Sequence, residues 1–133
     1  MLPRVVIIGS NSKLAISLIE YLTNKNLLNI IGVSRGKNKN KDLNVFYSVN
    51  YDQKTDWSKI IKKNDIIIHL AYDKKKLIDN CIADENLFSY CKIIKISKII
   101  YLSTIKVFGE NYKNKALDET SICNPFSNYA KNK

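Results

Sequence analysis

The chain has 133 residues, 45% of them apolar, which is enough for one globular domain with a real core and excludes a disordered chain. Its net charge of +10 raises a nucleic-acid partner, yet 20 of the 22 basic residues are Lys, scattered except for the run Lys74-Lys75-Lys76. Arg, whose planar fork recognises bases and phosphates, occurs only at Arg4 and Arg35, so a solvated lysine surface is expected and no specific nucleic-acid binding.

Other classes are set aside just as early. No apolar run, Ile66 to Ala71 being typical of the longest, approaches the roughly 18 residues of a membrane span. Met1-Leu2-Pro3-Arg4 leads straight into a strand-like run, without the parts of a secretory leader. Cys81, Cys91 and Cys123 are odd in number and lack metal-ligand spacing, so reduced thiols, no metal and a cytoplasmic setting are expected.

In chain order, Arg4 to Ile8 is a short β-branched run ended by Gly9, which predicts a buried parallel strand. Leu14, Leu18, Ile19 and Leu22 fall at helical spacing and predict a helix over 13–24. A strand over 29–34, a polar loop over 35–42 and a weaker strand over 45–50 follow. A short helix over 57–62 precedes the clearest strand, 65–71. A long helix is expected over 75–95, its apolar face interrupted by Asp84-Glu85, and a fifth strand over 98–103. The stretch 107–124 reads as loop, and Pro125 suits the first turn of a last helix. Apolar strands alternating with helices predict an α/β fold: an open parallel sheet, doubly wound, with helices on both faces.

The turn Gly9-Ser10-Asn11-Ser12-Lys13-Leu14-Ala15 joins the first strand to the first helix. A dinucleotide site needs a tight turn there, close backbone approach to the pyrophosphate and a helix N-terminus aimed at it. Gly9, Ser12 and Ala15 keep the first, fourth and seventh positions small, although only the first is glycine. Either Ser12 tolerates the glycine geometry or it pushes the phosphates outward. At the end of the second strand an acid would hold the ribose hydroxyls of NAD, and a base the 2′-phosphate of NADP. Ser34-Arg35-Gly36-Lys37 has no acid, which leans the cofactor towards NADP. His69, the single histidine, lies inside an apolar strand with no acid or Cys spaced to help it. It reads as a hydrogen-bonded core residue.

Tyr129 and Lys133 are four apart, so one helix face carries both. A phenol titrates near 10, too high for a base at neutral pH, and a neighbouring ammonium lowers that value. The pair can therefore exchange a proton with substrate. Alone the spacing says little: Tyr21/Lys25 and Tyr72/Lys76 share it. Only Tyr129 also follows the fifth strand and the hydroxyl of Thr104.

Taken together, Gly9-x-x-Ser-x-x-Ala15, Asp65-Ile-Ile-Ile-His-Leu-Ala71, Tyr101-Leu-Ser-Thr-Ile-Lys-Val-Phe-Gly-Glu110, Asp118-Glu119-Thr120 and Asn124-Pro125-x-x-x-Tyr129-x-x-x-Lys133 resemble the extended short-chain dehydrogenase/reductases. More narrowly, the chain is similar to the NAD(P)-dependent nucleotide-sugar epimerase/dehydratase group along its whole length. Phe108 stands where tyrosine is usual. The resemblance implies a Rossmann-type domain over 1–133 with strand order 3-2-1-4-5. It implies a nucleotide-sugar substrate, and it is compatible with a homodimer. Thr104, Tyr129 and Lys133 would be the reacting residues. The cofactor would be held by Gly9, Ser10, Asn11, Ser12, Lys13, Leu14, Ser34, Arg35, Asp52, Gln53, Leu70, Ala71, Tyr72, Asn80, Tyr129 and Lys133. Of these, Asp52 with Gln53 matches the pair that holds adenine, and Asn80 the asparagine that supports the active site.

Members of that group continue past this helix with a substrate-binding region. The chain is therefore expected to be the N-terminal part of such an enzyme, with weak dinucleotide binding and no turnover by itself. A non-catalytic dinucleotide-binding module is the rival expectation. Whether Thr104 and Tyr129 share a face discriminates the two.

Overall fold

The computed structural model describes residues 2–73, 75–109 and 116–133. Glu110 of the strand-five motif and Lys74 of the lysine run lie outside the described residues. Five strands, β1 (Arg4–Ile8), β2 (Asn29–Ser34), β3 (Val45–Ser48), β4 (Ile66–His69) and β5 (Lys98–Tyr101), form one parallel sheet. Their order is β3-β2-β1-β4-β5, as the resemblance implied. Helix α1 (Lys13–Thr23) follows β1, α2 (Leu77–Ile94) joins β4 to β5, and α3 (Asn128–Lys131) comes last. Short 3-10 turns stand at Trp57–Lys59 and Ile105–Phe108.

Why β1 carries no polar alternation is visible in its packing. Val5 and Ile7 meet Ala15 and Ile19 of α1 on one face. Val6 and Ile8 meet Trp57, Ile61, Leu87 and Cys91 on the other. Both faces of the central strand are thus dry, and each buried Ile or Val contributes roughly 1.5–3 kcal/mol. At the amino end of the sheet, Arg4 pairs with Asp65 at 3.3 Å and donates to the Ile60 carbonyl at 3.0 Å. This contact closes the sheet opposite the loops that carry the site.

Several boundaries differ from the periodicity. The last helix begins three residues after Pro125, because Ser127 is its N-cap and its hydroxyl accepts from the Ala130 N–H at 3.2 Å. A side-chain cap outweighs the proline's preset backbone angle. The expected loop over 107–124 begins inside the 3-10 turn that Thr104 caps. α2 runs through Asp84-Glu85 without a break, with Ala83, Leu87 and Cys91 buried around them. Among the described residues no helix is long and apolar enough to cross a membrane.

Candidate functional site

The sheet order reverses beside β1, so its carboxyl end and that of β4 diverge and leave a crevice between their loops. That crevice has a volume of about 690 Å³, within the range of cofactor sites. Gly9 starts it. Its φ of +88° is open to glycine, and a Cβ there would stand 2.7 Å from the Ala71 nitrogen and 2.9 Å from the Leu70 carbonyl carbon. The turn can lie on the end of β4 only because that atom is missing. The N–H groups of Gly9 and Ser10 donate to the Val33 carbonyl at 2.8 and 3.1 Å, tying the turn to β2 as well.

Ser12 settles into this turn without strain. Its φ of −73° and ψ of 154° are ordinary extended values, and its hydroxyl accepts from the Ala15 N–H at 3.2 Å as the cap of α1. Serine therefore tolerates the position where glycine is usual. The cap leaves the α1 N-terminus directed at the crevice, an arrangement that suits a phosphate. The Asn11 amide donates to the carbonyls of Arg35 and Lys37 at 3.1 and 3.0 Å and accepts from the Lys39 N–H at 3.1 Å. It staples the loop after β2 to the phosphate turn.

Of the residues expected at the cofactor, Gly9, Asn11, Ser12, Ser34, Arg35, Asp52, Gln53, Leu70, Ala71, Tyr72 and Asn80 line the crevice together. Ser10 does not; it is fully buried and its hydroxyl lies against Gly32 in the sheet. Lys13 and Leu14 are exposed on the outer side of α1's first turn. Asn80 is buried, donates to the Asp73 carbonyl at 2.8 Å and accepts from the Asp73 N–H at 3.2 Å, which sets the loop after β4. Asp73 was not foreseen. Its carboxylate meets the Arg35 guanidinium at 3.6 Å across the crevice mouth, a contact between loops 38 positions apart that no local pattern reveals.

The helix α3 sits at one end of this crevice. Tyr129 packs edge-on against Tyr72, ring centroids 5.2 Å apart. The Lys133 ammonium lies over the Tyr72 ring at 4.3 Å and the Tyr101 ring at 5.0 Å, and donates to the Leu102 carbonyl at 3.2 Å. Partial burial lowers the Lys133 pKa, and the charge of Asp84 opposes that shift. Burial, then the proximity of Tyr129, raises that of Tyr72. Thr104 heads its own 3-10 turn, its hydroxyl accepting from the Lys106 N–H at 3.4 Å. Tyr129 and Lys133 thus meet Tyr72 of the crevice wall, while the hydrogen bond of Thr104 stays within its loop.

His69 is a core residue, fully buried and hydrogen-bonded, but the expectation that no acid assists it is corrected. Asp84, 15 positions away on α2, meets its Nε2 at 3.0 Å. The Tyr51 hydroxyl lies 2.7 Å from the same nitrogen and donates to Asp84; the Tyr101 hydroxyl donates to the second Asp84 oxygen at 2.8 Å. The acid that seemed to break the apolar face of α2 is the acceptor for three groups from three other segments.

The expected single helix face for Tyr129 and Lys133 is corrected: α3 ends at Lys131, so Lys133 follows its C-cap Asn132 and reaches Tyr72 from just past the helix. A parallel sheet with its switch point at β1, a glycine turn into a capped helix and a crevice between the loops after β1 and β4 define a Rossmann-type α/β domain. Residues 5–133 match the model of the NAD dependent epimerase/dehydratase family, and the chain belongs to that family. No curated protein matches it in sequence. Among solved structures it is similar to UDP-glucuronic acid 4-epimerase from Bacillus cereus in complex with UDP-glucuronic acid and NAD (22% identity, TM-score 0.78), covering 97% of this chain and 48% of that one. It is also similar to UDP-N-acetylglucosamine 4-epimerase from the same organism (19% identity, TM-score 0.74; 98% and 48% covered). A third is dTDP-glucose 4,6-dehydratase from Bacillus anthracis in complex with NAD (16% identity, TM-score 0.76; 98% and 46% covered). The chain spans about half the length of each of these structures.

Proposed function

We propose that this chain provides the NAD(P) site and the Tyr129–Lys133 pair of an enzyme that epimerises, dehydrates or reduces a nucleotide sugar. The observation that carries the reading is Tyr72: it lines the crevice and is packed by Tyr129 and overlain by the Lys133 ammonium. The family match and the nucleotide-sugar complexes among its structural relatives support it.

In this reading the turn from Gly9 to Ser12 and the α1 N-terminus take the pyrophosphate, with Lys13 and Leu14 following in the first turn. Asp52 and Gln53 hold adenine, and Leu70, Ala71 and Tyr72 flank the ribose next to the nicotinamide. Asn80 keeps their loop in place. When bound, the cofactor supplies a hydride acceptor. Tyr129 takes the proton from a sugar hydroxyl, Lys133 favours the phenolate, and Thr104 binds the reacting oxygen. Calorimetric titration with NAD(P) tests the first half, and absence of binding overturns the whole reading. Tyr129→Phe tests the second, in an enzyme that joins this chain to a substrate-binding region: turnover of UDP- or dTDP-sugars is expected to fall by about 10²–10⁴-fold with cofactor binding retained. Unchanged turnover would leave a dinucleotide-binding module without this chemistry.

Arg35 decides the form of the cofactor. Its contact with Asp73 is an exposed pair, worth about 0–1 kcal/mol. A forked hydrogen bond to a phosphate dianion is stronger, at about 1.5–3 kcal/mol, so Arg35 exchanges partners. NADP is therefore expected to bind more tightly than NAD, and Arg35→Ala to abolish the difference. Equal affinities in the unmodified chain would refute the preference.

A further inference from the structure

The proposed function uses Tyr129 and Lys133 but not the buried polar cluster behind them. We infer that Asp84 is a positioning residue, which acts through Tyr101 to hold the Lys133 ammonium and the end of α3 in place beside the crevice. The inference rests on the reading of Lys133 as a member of the reacting pair.

The geometry runs in one line. One Asp84 oxygen accepts from Tyr51 and stands 3.0 Å from His69 Nε2; the other accepts from the Tyr101 hydroxyl at 2.8 Å. His69 is fully buried in β4, and Tyr51 is wedged edge-on between it and Trp57, with ring centroids 5.3 and 5.8 Å away. The carboxylate is thereby held against the rigid side of the sheet. Tyr101 is held in turn, its ring 4.9 Å from that of His69 and 5.8 Å from that of Phe88. On its far side the same phenol touches the residues that end α3: its hydroxyl lies 3.5 Å from the carbonyl of the C-cap Asn132, and its ring lies 5.0 Å beneath the ammonium of Lys133, the next residue.

A phenol that donates to a carboxylate carries more electron density on its ring face, and that face attracts an ammonium. Among the described residues, the ionisable groups against Lys133 are Tyr72 from the loop after β4 and Tyr101 from β5, with Cys81 of α2 and Tyr129 of α3 beside those phenols. Among the described residues, too, the charge of Asp84 bears on Lys133, and it favours the ammonium. Further bonds fix the same segment, from Asn132 to the Leu77 carbonyl at 3.1 Å and from the Ser103 hydroxyl to the Lys133 carbonyl at 3.3 Å. They place the backbone and leave the ammonium to Tyr72, Tyr101 and the Leu102 carbonyl.

The test follows Lys133 directly, by the NMR titration of ¹³C-methylated lysines with its resonance assigned through Lys133→Arg. In Asp84→Asn, which keeps an acceptor oxygen and removes the charge, Lys133 is expected to titrate at lower pH than in the unmodified chain. Tyr101→Phe keeps the ring and deletes only the bonded hydroxyl; the same downward shift is expected there, and smaller. Should Asp84→Asn fail to fold, Tyr101→Phe decides alone. A folded variant in which Lys133 titrates unchanged overturns the inference, since a purely structural Asp84 would alter stability without moving that titration. NAD(P) titration separates the two levels: lost cofactor binding beside an intact Lys133 response sinks the proposed function and not this coupling.

Discussion

Asp84→Ala is expected to lower the stability of the chain by about 3–5 kcal/mol, because it leaves the Tyr51 and Tyr101 hydroxyls and His69 without their shared acceptor. Each such loss costs about 1–3 kcal/mol, and the surviving Tyr51–His69 contact offsets part of the total. The effect has a pH signature. Burial works to raise the Asp84 pKa, yet the hydrogen bonds from His69 and Tyr51, His69's proximity and the bond from Tyr101 prevail and hold it below the ordinary 3.8. A folded carboxyl with a lowered pKa contributes stability that is complete above the unfolded value and is lost as pH falls through the folded one. Urea unfolding should therefore show the gap between the two proteins at neutral pH and a narrowing of it below about 3.8. A gap that is constant down to the acid limb would mean that Asp84 is not ionised in the fold.

Gly9→Ala carries the other large effect. A side chain at φ +88° costs about 1–2 kcal/mol in backbone strain, and forcing its Cβ into the end of β4 about 1–3 kcal/mol more. A total near 2–5 kcal/mol is expected in chemical unfolding. Dinucleotide binding should fall with it, because the turn must lift from Leu70 and Ala71, the residues that line the same crevice. Gly36→Ala is the internal comparison. Gly36 has φ +72° but nothing within 4 Å of the added carbon, so only the backbone part, about 1–2 kcal/mol, remains. Equal losses in the two variants would show that contact with β4 is not what confines Gly9.

The layers and the order in which the chain builds them were legible in residue patterns alone. Both faces of β1 are buried, so its run is apolar after Arg4; α1 buries one stripe, so Leu18, Ile19 and Leu22 recur at helical spacing, while Leu14, counted with them, is exposed. Gly9 announced the turn because few other residues take its backbone angle. These are local demands, each met within a few neighbouring positions, and they show in the chain as periodicity and residue type. The family model matches residues 5–133, a range that includes these segments.

Contacts between distant segments were not legible in the chain and came from its folding. Asp84 reads as a flaw in an amphipathic helix until Tyr51, His69 and Tyr101 converge on it from the loop after β3, β4 and β5. Asp73 reads as one more charge in a lysine-rich loop until Arg35 meets it across the crevice. Ser10 sits among phosphate-turn residues in sequence, yet its side chain turns into the sheet against Gly32. Pairings of this kind have no period, because the partners are brought together by the stacking of whole elements. They became visible once the sheet order set which loops share an end.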